Sequence, residues 1–184
     1  MSVLLVGVRG ELGRAVAARL IAEGDEVRVV EDRPAAAQEW GRLGARVAHG
    51  SGSDPDLVER AAHGVRTIVV GEDESAAAAA VVDAVLEGVR IAGRSDIRLV
   101  VLTTTSAPDE ATGAVVSSAH DHVIVRIPTG RRLLGRPRAP FPAEVLAEVV
   151  DAADDLAGNP RDDIDLSDAA AWMRLGLEPR SPSG

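Results

Sequence analysis

Five short aliphatic runs, Val3–Val8, Val27–Val30, Thr67–Val70, Ile97–Leu102 and Val123–Ile127, recur along the chain with helix-length stretches between them. Strands this apolar need cover on both faces. Because helical stretches rather than tight hairpins join them, the arrangement that supplies such cover is a doubly wound parallel sheet with right-handed crossovers. Leu12, Val16 and Leu20 fall at helical spacing with Arg14, Arg19 and Glu23 between them, which predicts a helix over Leu12–Ala22. Pro34 opens a second helix, Ser53 or Asp54 caps a short one over Leu57–Ala61, and Ser75 begins a long Ala/Val helix to Ile91. A weaker helix is expected near Glu110–Ser118, an amphipathic one over Pro142–Leu156, and a last one around Trp172. Ala45–Ala48 and Asp163–Leu166 are the minor strand candidates, so the sheet is expected to hold six or seven strands within three layers.

The 184 residues correspond to one domain at about 150 residues each. No repeat or linker interrupts residues 1–177, read as a single α/β domain, whereas Glu178–Gly184 with its two Pro and two Ser reads as a flexible tail. Apolar runs fall well short of the roughly 18 residues of a membrane span, so no membrane association is expected. There is no Cys, and no basic-then-apolar segment precedes Val3; both point to the cytoplasm.

Net charge is −9, spread evenly, and Trp40, Phe141 and Trp172 are the aromatic residues. A nucleic-acid binder concentrates cations on one face and stacks bases on aromatic platforms, so no nucleic-acid partner is expected. All 20 basic residues are Arg, and the chain has neither Lys nor Tyr. A Lys Schiff base, a Lys-assisted Tyr acid and a P-loop lysine are therefore chemically excluded.

The most specific motif is Gly7-Val8-Arg9-Gly10-Glu11-Leu12-Gly13, where a strand runs into a helix. Glycines in such a turn let backbone N–H groups approach a pyrophosphate at the helix N-terminus, and the last one lets the helix lie close to the strand. Glu31 and Asp32 follow Gly13 by 18 and 19 residues, at the end of the second strand, where an acid accepts hydrogen bonds from a ribose. The expected dinucleotide site comprises Gly7, Arg9, Gly10, Glu11, Leu12, Gly13, Glu31, Asp32 and Arg33, with Ser51 and Gly71 at the ends of the third and fourth strands. Either acid would repel a 2′-phosphate while Arg33 or Arg9 would attract one; between NAD and NADP the balance leans to NAD.

At these residues the sequence resembles the atypical short-chain dehydrogenase/reductase family, in the NmrA-like branch that carries a GxxGxxG loop. Gly44-Ala45-Arg46-Val47 through Asp54-Pro55-Asp56-Leu57 is similar to that family's third strand and following turn, and Val123-Ile124-Val125-Arg126-Ile127-Pro128 to its sixth strand. The resemblance covers Val3 to about Leu175 and implies a Rossmann-like NAD(P)-binding domain. Where redox members carry Tyr and Lys four apart, this chain has Ala111-Thr112-Gly113-Ala114-Val115, so hydride transfer with a Tyr acid is excluded. Gly50-Ser51 stands where members often hold an adenine-contacting Asp. The sequence is also similar to the TrkA-type nucleotide-sensing domains, in its acid-ended second strand and the acidic turn Glu72-Asp73-Glu74, although those domains usually carry GxGxxG.

Thr103, Thr104, Thr105 and Ser106 end the fifth strand at the edge where open parallel sheets bind ligands; the resemblance implies that a hydroxyl there faces substrate. Thr104 is the catalytic candidate, with Thr103 and Thr105 as substrate contacts. His120 and His122 flank Asp121; no third ligand accompanies them, so no metal site is assigned, and His122 is the candidate general acid or base. His49 and His63 belong to no constellation. Arg131, Arg132, Arg136 and Arg138 form an acid-free loop suited to an anionic substrate, with Arg131 and Arg132 foremost; alternatively the loop pairs with the nine acids of residues 144–168. The expectations are an NAD(P)-dependent reductase without a Tyr acid or a non-redox relative acting on a small substrate, a non-catalytic NAD(H)-sensing regulator or scaffold with a protein partner, or a fold whose cofactor site has decayed. Homo-oligomerisation suits all three.

Overall fold

A computed structural model of the chain describes residues 2–71, 77–104, 109–128, 141–156 and 161–180. Among the described residues seven parallel strands alternate with seven helices: β1 (Ser2–Val6), α1 (Gly10–Ala22), β2 (Glu26–Glu31), α2 (Pro34–Leu43), β3 (Arg46–His49), α3 (Pro55–Ala61), β4 (Thr67–Gly71), α4 (Ala77–Ile91), β5 (Arg98–Thr104), α5 (Asp109–Ser117), β6 (His122–Ile127), α6 (Ala143–Asp154), β7 (Arg161–Asp165) and α7 (Ala169–Arg174). The sheet order is β3-β2-β1-β4-β5-β6-β7, with every pairing parallel. The chain thus starts in the middle of the sheet, winds outward to β3, and crosses β1 to wind outward again. The reversal lies between β1 and β4, where such sheets open a ligand crevice at their C-terminal edge.

The two-residue period of each strand divides the apolar side chains between two cores. Val3, Leu5, Val27, Val29, Val100, Val123 and Val125 face α1, α2, α6 and α7, whereas Leu4, Val6, Val30, Ile68, Leu99, Val101 and Ile124 face α3, α4 and α5. This is the doubly wound, three-layer architecture expected from the sequence, with all seven strands formed. The first strand stops at Val6, because Gly7 takes a φ of 74° and turns the chain out of the sheet. The third is shifted by one residue to Arg46–His49, and of the two capping candidates it is Asp54 that accepts from the Asp56 and Leu57 N–H groups.

Several acids of α6 and β7 are paired within the described fold. Asp151 accepts two hydrogen bonds from Arg19 of α1, Asp163 pairs with Arg126 and Asp162 with Arg174. Buried Asp154 accepts from the Thr67 hydroxyl at 2.6 Å and lies 3.5 Å from Arg66, which ties the end of α6 to the start of β4. Arg180, in the segment expected to be a tail, reaches Glu148 at 2.8 Å. The Arg131–Arg138 loop lies outside the described residues. Among the described residues no helix is long and apolar enough to cross a membrane.

Candidate functional site

The glycines of the first loop do three different jobs. A Cβ on Gly7 would stand 2.6 Å from the Gly71 carbonyl oxygen, and one on Gly71 would stand 2.8 Å from the Val8 Cα, so the exits of β1 and β4 touch backbone to backbone. A Cβ on Gly13 would meet the Val8 oxygen at 2.5 Å and the Trp40 ring at 2.9 Å, which fixes α1 against its own entry turn. Gly10 differs: its φ is 66°, yet no described residue lies within 4 Å of where its Cβ would be. The open space is therefore on the outer side of the turn, above the helix N-terminus.

That N-terminus carries no side-chain cap. Arg9, extended at the N-cap position, makes no capping hydrogen bond, and the first intrahelical donor is Gly13 N–H, bonded to the Arg9 carbonyl at 3.2 Å. The Gly10, Glu11 and Leu12 N–H groups precede the intrahelical ladder, at the positive end of the helix dipole. An exposed, uncapped N-terminus at a glycine turn fits the pyrophosphate of a dinucleotide.

Glu31, the last residue of β2, and Asp32, which follows it, are not equivalent. Glu31 is in phase with Val27 and Val29, so it points inward beneath α2 and is only 4% exposed. Its Oε1 accepts from the Arg33 backbone N–H at 3.1 Å and Nε at 2.9 Å; its Oε2 accepts from Arg33 Nη2 at 3.0 Å and from Trp40 Nε1 at 3.3 Å. Asp32 points out, about half exposed, with a loose contact of 3.9 Å to Arg9. Asp32 is thus the acid with lone pairs to offer a ribose, and Glu31 is occupied by its own fold. The sequence missed Trp40 as Glu31's partner, although the in-phase spacing of Val27, Val29 and Glu31 was the available signal.

Burial alone pushes the Glu31 carboxyl up, but hydrogen bonds from the Arg33 side chain and N–H and from Trp40, with the Arg33 charge, outweigh it and lower the group from 4.5 to about 2. A depressed folded-state value means stability present above pH 4.5 and lost as pH falls towards 2. The unfolding free energy of wild type should exceed that of Glu31→Gln by up to about 3 kcal/mol at pH 6, a gap that closes between pH 4.5 and 2. Urea denaturation at stepped pH measures it; a gap independent of pH contradicts the ion pair.

A cleft of about 260 Å³ opens between α1 and α2, bounded by Gly10, Arg14, Arg33, Glu39 and Trp40. Arg14 faces Glu39 at 3.4 Å. Ser51 is exposed at the exit of β3, its Oγ 2.7 Å from that of Ser53, and Gly50 N–H donates to the Glu31 carbonyl, so this turn adjoins the end of β2. Glycine loop, Asp32, Arg33, Ser51 and Gly71 all collect along the C-terminal edge of the sheet.

The catalytic candidates do not assemble. Thr104 ends β5 on that edge, but His122 is the first residue of β6, level with Leu99, while Thr104 is level with Ile127. Five residues of strand, about 16 Å, separate the two levels. His122 is also buried, 3% exposed, with Nδ1 3.0 Å from the His120 carbonyl oxygen. It therefore belongs to the opposite edge of the sheet from the Thr104 backbone, a correction that follows from its position as the first residue of a strand. Thr103 is 1% exposed, inside the sheet rather than on its rim. Thr105, Arg131 and Arg132 lie outside the described residues.

Solved structures share the whole architecture. ChuY, an anaerobillin reductase from Escherichia coli O157:H7, superposes with a TM-score of 0.68 at 18% identity, over 88% of this chain and 95% of that one. A short-chain dehydrogenase/reductase from Veillonella parvula in complex with NADP gives 0.65 at 14%, over 86% and 88%. A Rossmann-fold NAD(P)-binding family protein from Shigella flexneri gives 0.64 at 15%, over 86% and 88%. At such identities the likeness is one of fold. No curated protein matches the chain. Residues 3–96, from β1 through the end of α4 and containing the glycine turn, Glu31 and Asp32, match the TrkA-N domain, and the chain belongs to that family.

Proposed function

We propose that this protein binds NAD(P) along the C-terminal edge of its sheet and acts as an atypical, NmrA-like short-chain dehydrogenase/reductase without a Tyr acid. The observation that carries the reading is the uncapped N-terminus of α1 at Gly10, with open space outside the turn and the exposed Asp32 at the end of the neighbouring strand. In this reading the Gly10–Leu12 N–H groups hold the pyrophosphate, Asp32 accepts from the adenosine ribose, and Ser51 borders the adenine. The cofactor supplies hydride chemistry when bound. With no Tyr or Lys in the chain, Thr104 or water manages the proton on the substrate. The solved short-chain dehydrogenase/reductase with NADP, of the same fold, supports NAD(P) as the ligand class. The exposed carboxylate of Asp32 contributes to a preference for NAD by repelling a 2′-phosphate.

A second reading is a nucleotide-sensing regulator, favoured by the TrkA-N match and by the separation of His122 from Thr104. Calorimetric titration of NAD, NADH, NADP and NADPH into the full chain tests both. Micromolar binding is expected, abolished in Gly10→Asp, whose carboxylate stands in the open space where a phosphate would lie. Absence of binding by all four refutes both readings; binding without reductase turnover over a carbonyl panel favours the sensor.

A further inference from the structure

The cations around the cleft are each matched by a carboxylate. Arg33 is gripped by Glu31, Arg14 lies 3.4 Å from Glu39, and Arg9 lies 3.9 Å from Asp32. The grip on Arg33 is the tight one. Its Nε and Nη2 engage the two oxygens of one buried carboxylate, a fork-on-fork pair, while Trp40 Nε1 donates to the same carboxylate. An Arg just after the second strand is the group that would neutralise a 2′-phosphate on the adenosine ribose. Here such a phosphate must compete with an internal anion that already holds Arg33 through two hydrogen bonds, and in doing so would leave Glu31 buried without its charge partner.

We propose that Glu31 decides which dinucleotide the cleft accepts, by holding Arg33 and without itself touching the ribose. It is a positioning residue acting through Arg33, and the site it sets selects the unphosphorylated ribose. The proposal rests on the dinucleotide reading above and deepens it. Removing the Glu31 charge frees the Arg33 guanidinium, since one amide oxygen cannot replace the carboxylate's two. The exposed side of Arg33, 54% accessible, then meets the phosphate.

The test is calorimetric titration of 5′-AMP and adenosine 2′,5′-bisphosphate into the full chain. Wild type is expected to bind AMP at least tenfold tighter. Glu31→Gln should bring the ratio to near one or reverse it, and Glu31→Gln with Arg33→Ala should restore it. A merely structural Glu31 would weaken both ligands alike and leave the ratio unmoved, which overturns the proposal. So does a wild type that prefers the bisphosphate, a readout that stands even where Glu31→Gln does not fold. Loss of AMP binding alone in Glu31→Gln makes Glu31 a ribose ligand and overturns it too. A wild type that binds neither nucleotide nor any dinucleotide brings down the site itself, an outcome distinct from a binding site with the wrong ratio.

Discussion

Replacing Trp172 by alanine should lower the unfolding free energy by about 3–5 kcal/mol, the usual range for deleting a buried Trp side chain. Trp172 is 1% exposed, stacks edge-on to Phe141 with centroids 5.2 Å apart, and donates from Nε1 to the Leu166 carbonyl at 3.0 Å. It sits in the same core as Val123, Val125 and Ile164, so the cavity opens beneath β6 and β7. In a chain of this size the midpoint of thermal unfolding should fall by about 10 °C. Circular dichroism with urea titration measures it, and an unchanged m-value would show that the chain still unfolds as one unit. A loss below about 1 kcal/mol would mean that α7 contributes little to the cooperative core, against the reading of residues 1–177 as a single domain.

Gly13→Ala should cost about 2 kcal/mol net, despite the gain of roughly 1 kcal/mol that alanine normally brings to a helix. The new methyl would stand 2.5 Å from the Val8 carbonyl oxygen and 2.9 Å from the Trp40 ring, so α1 must shift away from its entry turn and from α2. Because that shift carries the Gly10 turn with it, dinucleotide affinity should fall in the same variant. Gly41→Ala is the control: it lies in α2 with nothing within 4 Å of the added carbon, and should be neutral or stabilising by up to about 1 kcal/mol. Thermal unfolding of the two variants side by side separates packing from backbone freedom. Equal stabilities would show that α1 tolerates the methyl and that the close approach is not obligatory.

The glycine spacing is a local feature within the stretch that the family match covers. The Gly7, Gly10, Gly13 pattern is nearer the short-chain dehydrogenase/reductase loop, yet the TrkA-N match extends over residues 3–96. A loop spacing fixes how close a backbone comes to a phosphate, whereas a family match draws on every strand and helix of the half-sheet. The two are compatible because both describe a turn that leads from β1 into an uncapped α1.

The sheet was legible because its cause is local. Buried parallel strands must be aliphatic on both faces, and the helices between them carry a 3.6-residue period, so order and type of elements follow from pattern alone. The glycine turn was legible for a related reason, since few other residues take positive φ or permit such close backbone contact. What the tertiary structure decided was which side chain faces which neighbour. It turned Glu31 inward onto Arg33 and Trp40 and left Asp32 outside, and it set His122 at one edge of the sheet and Thr104 at the other. Residues adjacent in a motif alternate between faces of a strand, and residues far apart share an edge only through parallel register. Sequence therefore determined that a ligand edge exists, and only the fold determined which groups stand on it.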